Sequence, residues 1–461
     1  MKTIIEPFRI KVIEPVKFTS AKERESILRA AHFNLFQVAA TDVIIDLLTD
    51  SGTAAMSCEQ WASMLLGDES YAGARSWFRL QNVLRELTGM PHILPTHQGR
   101  ASERILFTLM GGAGKVIANN SHFDTTRANI ENTGAIAIDL AIDEAYEPDN
   151  PYPFKGNLDI KKLQALIKEV GAEQIPLCMV TVTNNNVGGQ PVSMANLKEV
   201  KRVCGEHNIP LFLDACRFAE NAYFIKRRER EYADLSVREI AKLMFDLADG
   251  ATISAKKDGL VNIGGLLLLR NNDLAKNANN LLILTEGFTT YGGLAGRDLE
   301  AMAQGFVEVL DEHYLRYRLR SVEYLAEHLL KSGIPIVQPV GGHAVYIDAK
   351  VFCSHIPVSQ FPGQALVCAL YRTAGIRATE LGSLVFGKKT SKLSKQNKNS
   401  PPVMELVRLA IPRRVYTQSH MDYVAEALQE IYNDRKKLKG LEIIEEPETL
   451  RHFTAKFKEI D

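Results

Sequence analysis

Short apolar runs alternate with helical patterns between about residues 76 and 270, and this alternation restricts the possible folds more than any other feature. Short runs that are apolar on both faces and separated by helices are typical of a parallel sheet with right-handed crossovers. Ligands of such sheets bind at the carboxyl ends of the strands. The pattern therefore predicts an α/β domain whose site follows the apolar runs. These runs are 92–96, 115–120, 134–140, 175–183, 209–215 and 250–254, with helical spacing at 76–87, 98–110 and 192–207.

The C-terminal part of the chain has a different pattern. A long helical stretch at about 299–333 precedes helical patterns at 362–374 and about 418–438, with strand-like segments between them. This mixture predicts a smaller α+β domain. A run of like charges between Ser383 and Pro402 predicts a solvated surface insertion, and its lysines are Lys388, Lys389, Lys392, Lys395 and Lys398.

The charge balance argues against two classes of partner. The 461 residues include 55 Lys plus Arg and 55 Asp plus Glu. A chain without net charge has no overall field that attracts nucleic acid or an anionic membrane. Any anionic ligand must therefore be held by a local group of residues.

The cysteines and the N-terminal segment predict a cytoplasmic protein. The six cysteines never approach CxxC spacing, and a chain of this length can bury a core without disulfides, so we expect reduced thiols. No run of about 18 apolar residues occurs, and charges and prolines interrupt the first residues of the chain. Neither a membrane span nor a signal peptide is expected.

The common nucleotide and metal motifs are incomplete or missing. Residues 111–116 read GGAGKV, but Val116 stands where a phosphate-binding loop needs Ser or Thr. No GxGxxG fingerprint follows a predicted strand, and the eleven histidines show no HExxH spacing. The sequence therefore does not support a dinucleotide, a nucleoside triphosphate or a catalytic metal.

Polar residues at three predicted strand ends favour pyridoxal phosphate. A helix that starts with Gly and Arg suits a phosphate group. A buried Asp at one strand end and a Lys at another suit this cofactor, because the Lys forms the Schiff base and the Asp pairs with the pyridinium nitrogen. A capping Asp or a surface Lys would explain any one residue, but not their joint placement on one sheet. The residues are Gln98, Gly99, Arg100, Asp214, Arg217, Ser254, Lys256 and Lys257.

Ten longer segments match one family almost from end to end. They are EPFRI (6–10), IDLLTDSGT (45–53), GDESYAG (67–73), PTHQGR (95–100), GGQPVSMANL (188–197), ENAYFIK (220–226), SAKKD (254–258), YGGLAGRD (291–298), PVGGHAV (339–345) and RHFTAK (451–456). By these segments the chain resembles the tryptophanase and tyrosine phenol-lyase family of pyridoxal-phosphate β-eliminating lyases.

The resemblance implies a fold, an assembly and two cofactors. The fold is that of aspartate aminotransferase, an α/β fold with a mainly parallel seven-stranded sheet. A large cofactor domain would span 57–310, and a small α+β domain would combine 1–56 with 311–461. The resemblance also implies pyridoxal 5′-phosphate, a monovalent cation such as potassium, and a homotetramer with active sites at dimer interfaces.

The resemblance also assigns cofactor-binding roles residue by residue. Lys257 would be the Schiff-base lysine and Asp214 the partner of the pyridine nitrogen. The residues that would hold the phosphate are Gln98, Gly99, Arg100, Ser254 and Lys256. Those that would contact the 3′ oxygen and the ring are Asn185, Arg217 and the stacking Phe123.

Further roles concern the substrate and the cation. Arg408 would clamp the substrate carboxylate, because planar two-point geometry favours Arg over Lys. Thr49 and Ser51 would assist near that carboxylate. The cation would be bound by oxygen atoms, as suits a hard ion, from Glu69 and the carbonyl groups of Gly52 and Asn262.

Three positions point to the substrate. The chain has Asp124, Leu381 and His452, where the tyrosine enzymes of the family have Thr, Arg and Phe. Leu381 offers no cation to a phenolate, whereas Asp124 and His452 offer polar partners to a leaving group with an N–H. A site without the partner for a substrate hydroxyl group loses discrimination of about 10⁴-fold or more. Tryptophan is therefore the expected substrate.

The expected reaction is β-elimination of L-tryptophan to indole, pyruvate and ammonia. Lys257 would remove the α-proton, and Tyr71 would protonate C3 of the indole, a step in which a positioned acid contributes about 10²–10⁴-fold. Asp124 and His452 would orient the indole. The alternatives are elimination of phenol from L-tyrosine, or a pyridoxal-phosphate fold kept for binding or assembly without catalysis.

Overall fold

The computed structural model describes residues 3–387 and 404–460, so the lysines of segment 388–398 lie outside the described residues. The described strands are β1 (Ile45–Asp46), β2 (His92–Thr96), β3 (Val116–Asn119), β4 (Ile136–Asp139), β5 (Cys178–Thr181), β6 (Leu211–Asp214), β7 (Gly250–Ser254), β8 (Gly265–Leu269), β9 (Ala344–Asp348), β10 (Ile376–Arg377), β11 (Thr379–Leu381), β12 (Leu406–Ala410), β13 (Leu441–Glu445) and β14 (Lys456–Glu459).

The described helices follow the same chain order. They are α1 (Ala21–Ala30), α2 (Cys58–Met64), α3 (Arg75–Thr88), α4 (Gly99–Met110), α5 (Asp124–Glu131), α6 (Ile160–Val170), α7 (Met194–Glu206), α8 (Phe218–Arg228), α9 (Val237–Asp246), α10 (Asn272–Thr285), α11 (Gly296–Glu308), α12 (Glu312–Lys331), α13 (Ala349–Phe352), α14 (Pro362–Ala374), α15 (Ser383–Phe386) and α16 (Gln418–Asn433). Within these described parts, no helix combines the length and apolar character that crossing a membrane requires.

The chain divides into two compact units. The first contains residues 1–50, 146–151 and 317–461, and the second contains 51–145 and 152–316. Segment 146–151 contacts the C-terminal part of the first unit, where the amide of Gln338 donates to the carbonyl of Pro148 at 2.6 Å.

The second unit is built on a seven-stranded sheet of order β2-β8-β7-β6-β5-β3-β4. The neighbours from β7 through β6, β5 and β3 to β4 are parallel, so the predicted mainly parallel sheet is confirmed. Strand β8 runs antiparallel to both β2 and β7. The connection 255–264 from β7 to β8 is shorter than the crossover of a dozen or more residues that a parallel pair needs.

The helices of the second unit cover this sheet with apolar faces. On α3 the side chains of Trp77, Leu80, Leu84 and Leu87 recur at helical spacing and are buried. The helix ends at Gly89, whose φ of 64° is the left-handed conformation that favours glycine. Because strands β5 to β8 are buried along their whole length, they appear in the sequence as continuous apolar runs.

The first unit contains a three-stranded antiparallel sheet of order β11-β12-β9 and a parallel pair of β1 with β10. The helical stretch predicted at 299–333 is two helices, α11 and α12. The break lies at 309–311 because the Asp311 side chain accepts the amide of Tyr314 at 3.0 Å and so caps the next helix.

Candidate active site

Three strand ends of the second unit meet where β8 begins. Gly265, the first residue of β8, pairs with Thr96 at the end of β2 and with Ser254 at the end of β7. Asp214, at the end of β6, lies beside Thr252 of β7. The sheet register therefore brings together segments that the sequence separates by more than a hundred positions, and it places them at the carboxyl edge where ligands bind.

Two glycines allow the start of α4 to approach β7 closely. A Cβ atom added to Gly99 would lie 2.7 Å from the Cβ of Ser254, and one added to Gly265 would collide with the backbone of Gln98. Gly99 is the first residue of α4, and its amide group is one of the donors that a helix start leaves unpaired. This arrangement forms a narrow cradle of backbone donors that suits an anion.

Three cations line the same edge. Burial lowers the pKa of Lys256, and the positive charges of Lys257 and Arg100 lower it further. Positive charges that repel one another are stabilised by an anion between them. Together with the helix start, the cluster fits the phosphate group of a cofactor.

Asp214 has the surroundings expected of a partner for a protonated ring nitrogen. The side chain is 6% exposed, and its Oδ1 atom has no hydrogen-bond partner among the described residues. A buried carboxylate oxygen without a partner is costly, and a donor such as a pyridinium N–H would relieve that cost. The site residues therefore fit pyridoxal phosphate at both its phosphate and its nitrogen.

Glu103 is part of this site and was not predicted from the sequence. It lies one turn after Gly99 on α4, is buried, and accepts a hydrogen bond from Thr126 at 2.5 Å. Burial, followed by the charge of Asp214, raises the pKa of Glu103 to about 7. An acidic residue on the apolar face of a predicted helix was the available signal.

Residues after β3 are held by a partly buried network around Asp139. Its carboxylate accepts from Nδ1 of His122 at 2.7 Å and from Nη2 of Arg127 at 2.5 Å. Burial would raise the pKa of Asp139, but Arg127 and His122 outweigh it and hold the pKa at about 2. Phe123 and Asp124 lie between these two anchors at the start of α5, so their backbone is fixed from both sides.

Asn185 and Arg217 are buried beside neighbouring strand ends. Asn185 starts a short 3-10 helix that follows β5, and Arg217 precedes α8. The amide of Arg217 donates to the carbonyl of Val182 at 3.1 Å. Both residues thus lie at the carboxyl edge, as the assigned contact with the 3′ oxygen requires.

The predicted carboxylate clamp lies in the first unit. Arg408 is in the middle of β12, and its Nη2 donates to the carbonyl of Leu48 at 3.0 Å, next to Thr49. The following Asp50 is buried and accepts from Arg413 at 2.8 Å. This buried ion pair anchors the segment that carries Thr49 and leads into Ser51, the first residue of the second unit.

Two of the three residues that are predicted to select the substrate lie in the first unit and are buried. Leu381 ends β11 opposite Leu406 of β12. His452 belongs to the short 3-10 helix Arg451–Phe453, and its ring lies 5.9 Å from that of Phe36. The third residue, Asp124, begins α5 in the second unit, and one of its carboxylate oxygens accepts the amide of Thr125 at 2.6 Å.

Two predicted cation ligands are joined, and the third is exposed. The side chain of Asn262 donates to the carbonyl of Gly52 at 2.9 Å. The side chain of Glu69 is 77% exposed and lies 4.0 Å from Arg297.

Tyr71 is 68% exposed and lies among aromatic rings. Its ring stacks on Phe288 at 5.5 Å and meets Tyr291 edge-on at 5.3 Å. A hydrogen bond with Tyr291 and the charge of that residue raise the pKa of Tyr71. The structure therefore presents the predicted general acid to the surface. Arg100 is exposed as well, whereas Asp214, Arg217 and Ser254 are buried.

Known proteins are similar to this chain over nearly its whole length. The family profile described as Beta-eliminating lyase matches residues 46–427. A protein named tryptophanase from Salinibacter ruber is 57% identical over 99% of this chain and 95% of its own length. A protein named tyrosine phenol-lyase from Symbiobacterium thermophilum is 50% identical over 99% of this chain and 98% of its own length.

A solved structure supports the fold. A serine palmitoyltransferase from S. paucimobilis, with a bound PLP–myriocin aldimine, is similar over 90% of this chain and 96% of its own, with a TM-score of 0.58 and 11% identity. The predicted aspartate-aminotransferase-like fold is thereby confirmed.

Proposed function

The chain belongs to the β-eliminating lyase family, and we propose that it is a pyridoxal-phosphate-dependent carbon–carbon lyase that converts L-tryptophan to indole, pyruvate and ammonia. One observation carries the cofactor assignment. One edge of the sheet carries both the unpartnered Oδ1 of buried Asp214 and the cation cluster of Arg100, Lys256 and Lys257. A protonated ring nitrogen would pair with the first, and a phosphate group would pair with the second.

Protein groups carry out the proton transfers of the reaction. When bound, pyridoxal phosphate supplies an electron sink for the electron pair left at the substrate Cα. Lys257 would remove the α-proton, and Asp214 would accept a hydrogen bond from the protonated ring nitrogen of the bound cofactor. Tyr71 delivers a proton to C3 of the indole, which leaves poorly without it. The bond between Cβ and C3 then breaks, and the three-carbon remainder is hydrolysed to pyruvate and ammonia.

Other residues orient the substrate. Arg408 binds the substrate carboxylate in the planar two-point manner of arginine, with Thr49 and Ser51 nearby. Asp124 and His452 are the polar partners of the indole N–H, which donates a hydrogen bond to one of them, and Leu381 contacts the apolar face of the indole. The higher identity to the relative named tryptophanase than to the one named tyrosine phenol-lyase supports this choice of substrate.

The proposal extends to a cation and an assembly. Potassium is bound by Glu69 with the carbonyls of Gly52 and Asn262, and the chain forms a homotetramer with active sites at dimer interfaces. The side chains of Tyr71 and Glu69 are exposed in one chain, and this supports the assembly, because a second copy of the chain would cover them.

The proposed location is the cytoplasm, and the proposed domains are 57–310 for the cofactor and 1–56 with 311–461 for the smaller domain. All six cysteines are free, which agrees with a reducing compartment.

Product release from L-tryptophan and L-tyrosine tests the proposal directly. With pyridoxal phosphate and potassium present, we expect indole and pyruvate from tryptophan and little phenol from tyrosine. Phenol as the main product would mean that Asp124, Leu381 and His452 were misread. Full cofactor binding without turnover of either amino acid would support a non-catalytic protein.

A further inference from the structure

The short helix α15 is held at both its amide and its carbonyl groups by ionisable side chains, of which Glu405 and Arg451 come from later segments of the first unit. It follows Leu381 after a single residue, Gly382, and spans Ser383–Phe386. A helix of one turn makes almost no internal hydrogen bonds, so its position depends on outside partners. Those partners therefore fix the position of the turn that directly follows Leu381.

The amide side is bound by two buried glutamates. The amide of Ser383 donates to Glu405 at 2.9 Å, and the amide of Leu384 donates to Glu380 at 3.0 Å. A Cβ added to Gly382 would lie 2.7 Å from Oε1 of Glu380 and 2.8 Å from Oε2 of Glu405, so only glycine leaves room for both carboxylates. The start of α15 is thus fixed on strands β11 and β12.

The carbonyl side is bound by Arg451, from the C-terminal segment. Its Nη2 donates to the carbonyl of Ser383 at 2.7 Å and its Nε donates to that of Leu384 at 2.8 Å. The third nitrogen, Nη1, donates to Glu446 at 3.0 Å, which fixes the plane of the guanidinium. The planar fork of arginine meets all three acceptors at once, and a lysine ammonium cannot reproduce that geometry.

Arg451 is also the residue immediately before His452. Its side chain therefore connects the segment that carries His452 to the turn that follows Leu381, although the two lie 71 positions apart (452 − 381). The carbonyl of His452 is held separately by the side chain of Asn34 at 3.2 Å.

We propose that Arg451 is a positioning residue for substrate specificity, which sets the distance between Leu381 and His452 by holding the carbonyls of Ser383 and Leu384. The inference rests on the proposed function, because it concerns the residues assigned to the indole ring. When the contacts of Arg451 with α15 are weakened, the space between Leu381 and His452 widens, and a bulky leaving group is bound less tightly. The proton transfer at Cα is unchanged.

The experiment compares a bulky and a small leaving group in Arg451→Lys and Arg451→Gln. We expect the KM for L-tryptophan and the Kd of indole-3-propionate, measured by calorimetry on the holoenzyme, to rise about tenfold. The kcat and KM for S-methyl-L-cysteine, whose leaving group is a small thiolate, are expected to stay within about twofold of wild type. A thermal melt of each variant checks folding, and Arg451→Lys, which keeps the charge, serves if Arg451→Gln does not fold.

Arg435→Lys is the matched control. Its guanidinium also donates to a backbone carbonyl of the first unit, that of Tyr432 at 2.6 Å, but it contacts neither α15 nor the His452 segment in the described structure. We expect this variant to leave both substrates and the Kd unchanged.

A double variant tests whether Arg451 acts through its neighbour. If it does, Arg451→Lys combined with His452→Phe changes the KM for tryptophan by less than the product of the two single changes. Additive effects, equal losses on both substrates, or no change in Arg451→Lys would overturn the inference. The product test on the wild type is separate. A wild-type protein that releases no indole refutes the proposed function. If the wild type releases indole and the KM of Arg451→Lys is unchanged, only the positioning role of Arg451 is refuted.

Discussion

The strand ends of the second unit and the α15 turn of the first unit both bury ionisable groups, but they differ in how far backbone groups pair with them. At the strand ends, like charges adjoin one another around Lys256, and Oδ1 of Asp214 has no described partner. At the α15 turn, Glu405 and Arg451 each meet backbone donors or acceptors at 2.7–2.9 Å. The incompletely paired strand ends favour a ligand. The backbone contacts of the turn hold its neighbours in place, although Oε2 of Glu380 has no hydrogen-bond partner among the described residues.

The largest expected effect comes from Lys257→Ala, which removes the reacting amine from the incompletely paired region. Turnover of L-tryptophan should fall by about 10⁴-fold or more, and the visible absorption of lysine-bound pyridoxal phosphate should vanish. Absorption spectra and indole release measure both effects. Lys276→Ala, an exposed lysine on α10, is the control. An unchanged absorption band in Lys257→Ala would place the reacting lysine elsewhere.

Arg100→Gln should have a smaller effect, on cofactor affinity. The loss of one charge-assisted contact to the phosphate is expected to raise the Kd of pyridoxal phosphate about 10- to 100-fold. Fluorescence titration of the apoenzyme measures it, with Arg104→Gln, an exposed arginine further along α4, as control. Equal affinities in the two variants would mean that the cation cluster does not bind the phosphate.

The smallest expected effect concerns the α15 turn and depends on pH. Burial, followed by the charge of Glu405, raises the pKa of Glu380 from an ordinary 4.5 to about 8. The folded state then binds more protons than the unfolded state between these values. The stabilisation is complete below about pH 4.5 and is lost as the pH rises through about 8.

Glu380→Gln should flatten that loss, because a neutral amide has no proton to release. We expect a relative gain on the order of 1 kcal/mol at pH 8 compared with pH 5, measured by denaturant unfolding. Glu86→Gln, an exposed position on α3, is the control. Parallel stability profiles for wild type and Glu380→Gln would show that this carboxyl group does not hold its proton in the folded protein.

Local sequence patterns predicted the presence of the strands better than the residues at which they begin and end. The run 92–96 coincides with β2, whereas the run 175–183 contains the shorter strand Cys178–Thr181. The flanking residues, such as Leu177 and Val182, are buried without belonging to the strand. Burial makes a residue apolar whether or not it lies in the hydrogen-bonded ladder, so periodicity alone overestimates strand length.

The strand-end residues could be predicted because one sheet edge collects them. Asp214 and Ser254 are the last residues of strands β6 and β7, and Gly99 comes three positions after the end of β2, and sheet order places such positions together. The roles of Glu103 and Arg451 were not predicted. An acidic residue on an apolar helix face was the one signal for Glu103, and the partners of the two residues, Thr126 and the carbonyls of α15, come from segments that no local pattern connects to them.

The amino-acid sequence by itself determined the α/β architecture, the chemistry of the cofactor site and the family, because periodicity, glycines and motif words are local properties. Only the tertiary structure decided which polar groups lack partners and which hold one another. It left Oδ1 of Asp214 unpaired, raised the pKa of Glu103 and Glu380, and connected Arg451 to α15. The physical reason is that burial and pairing depend on the packing of distant segments, and the free energy of a charge depends on both.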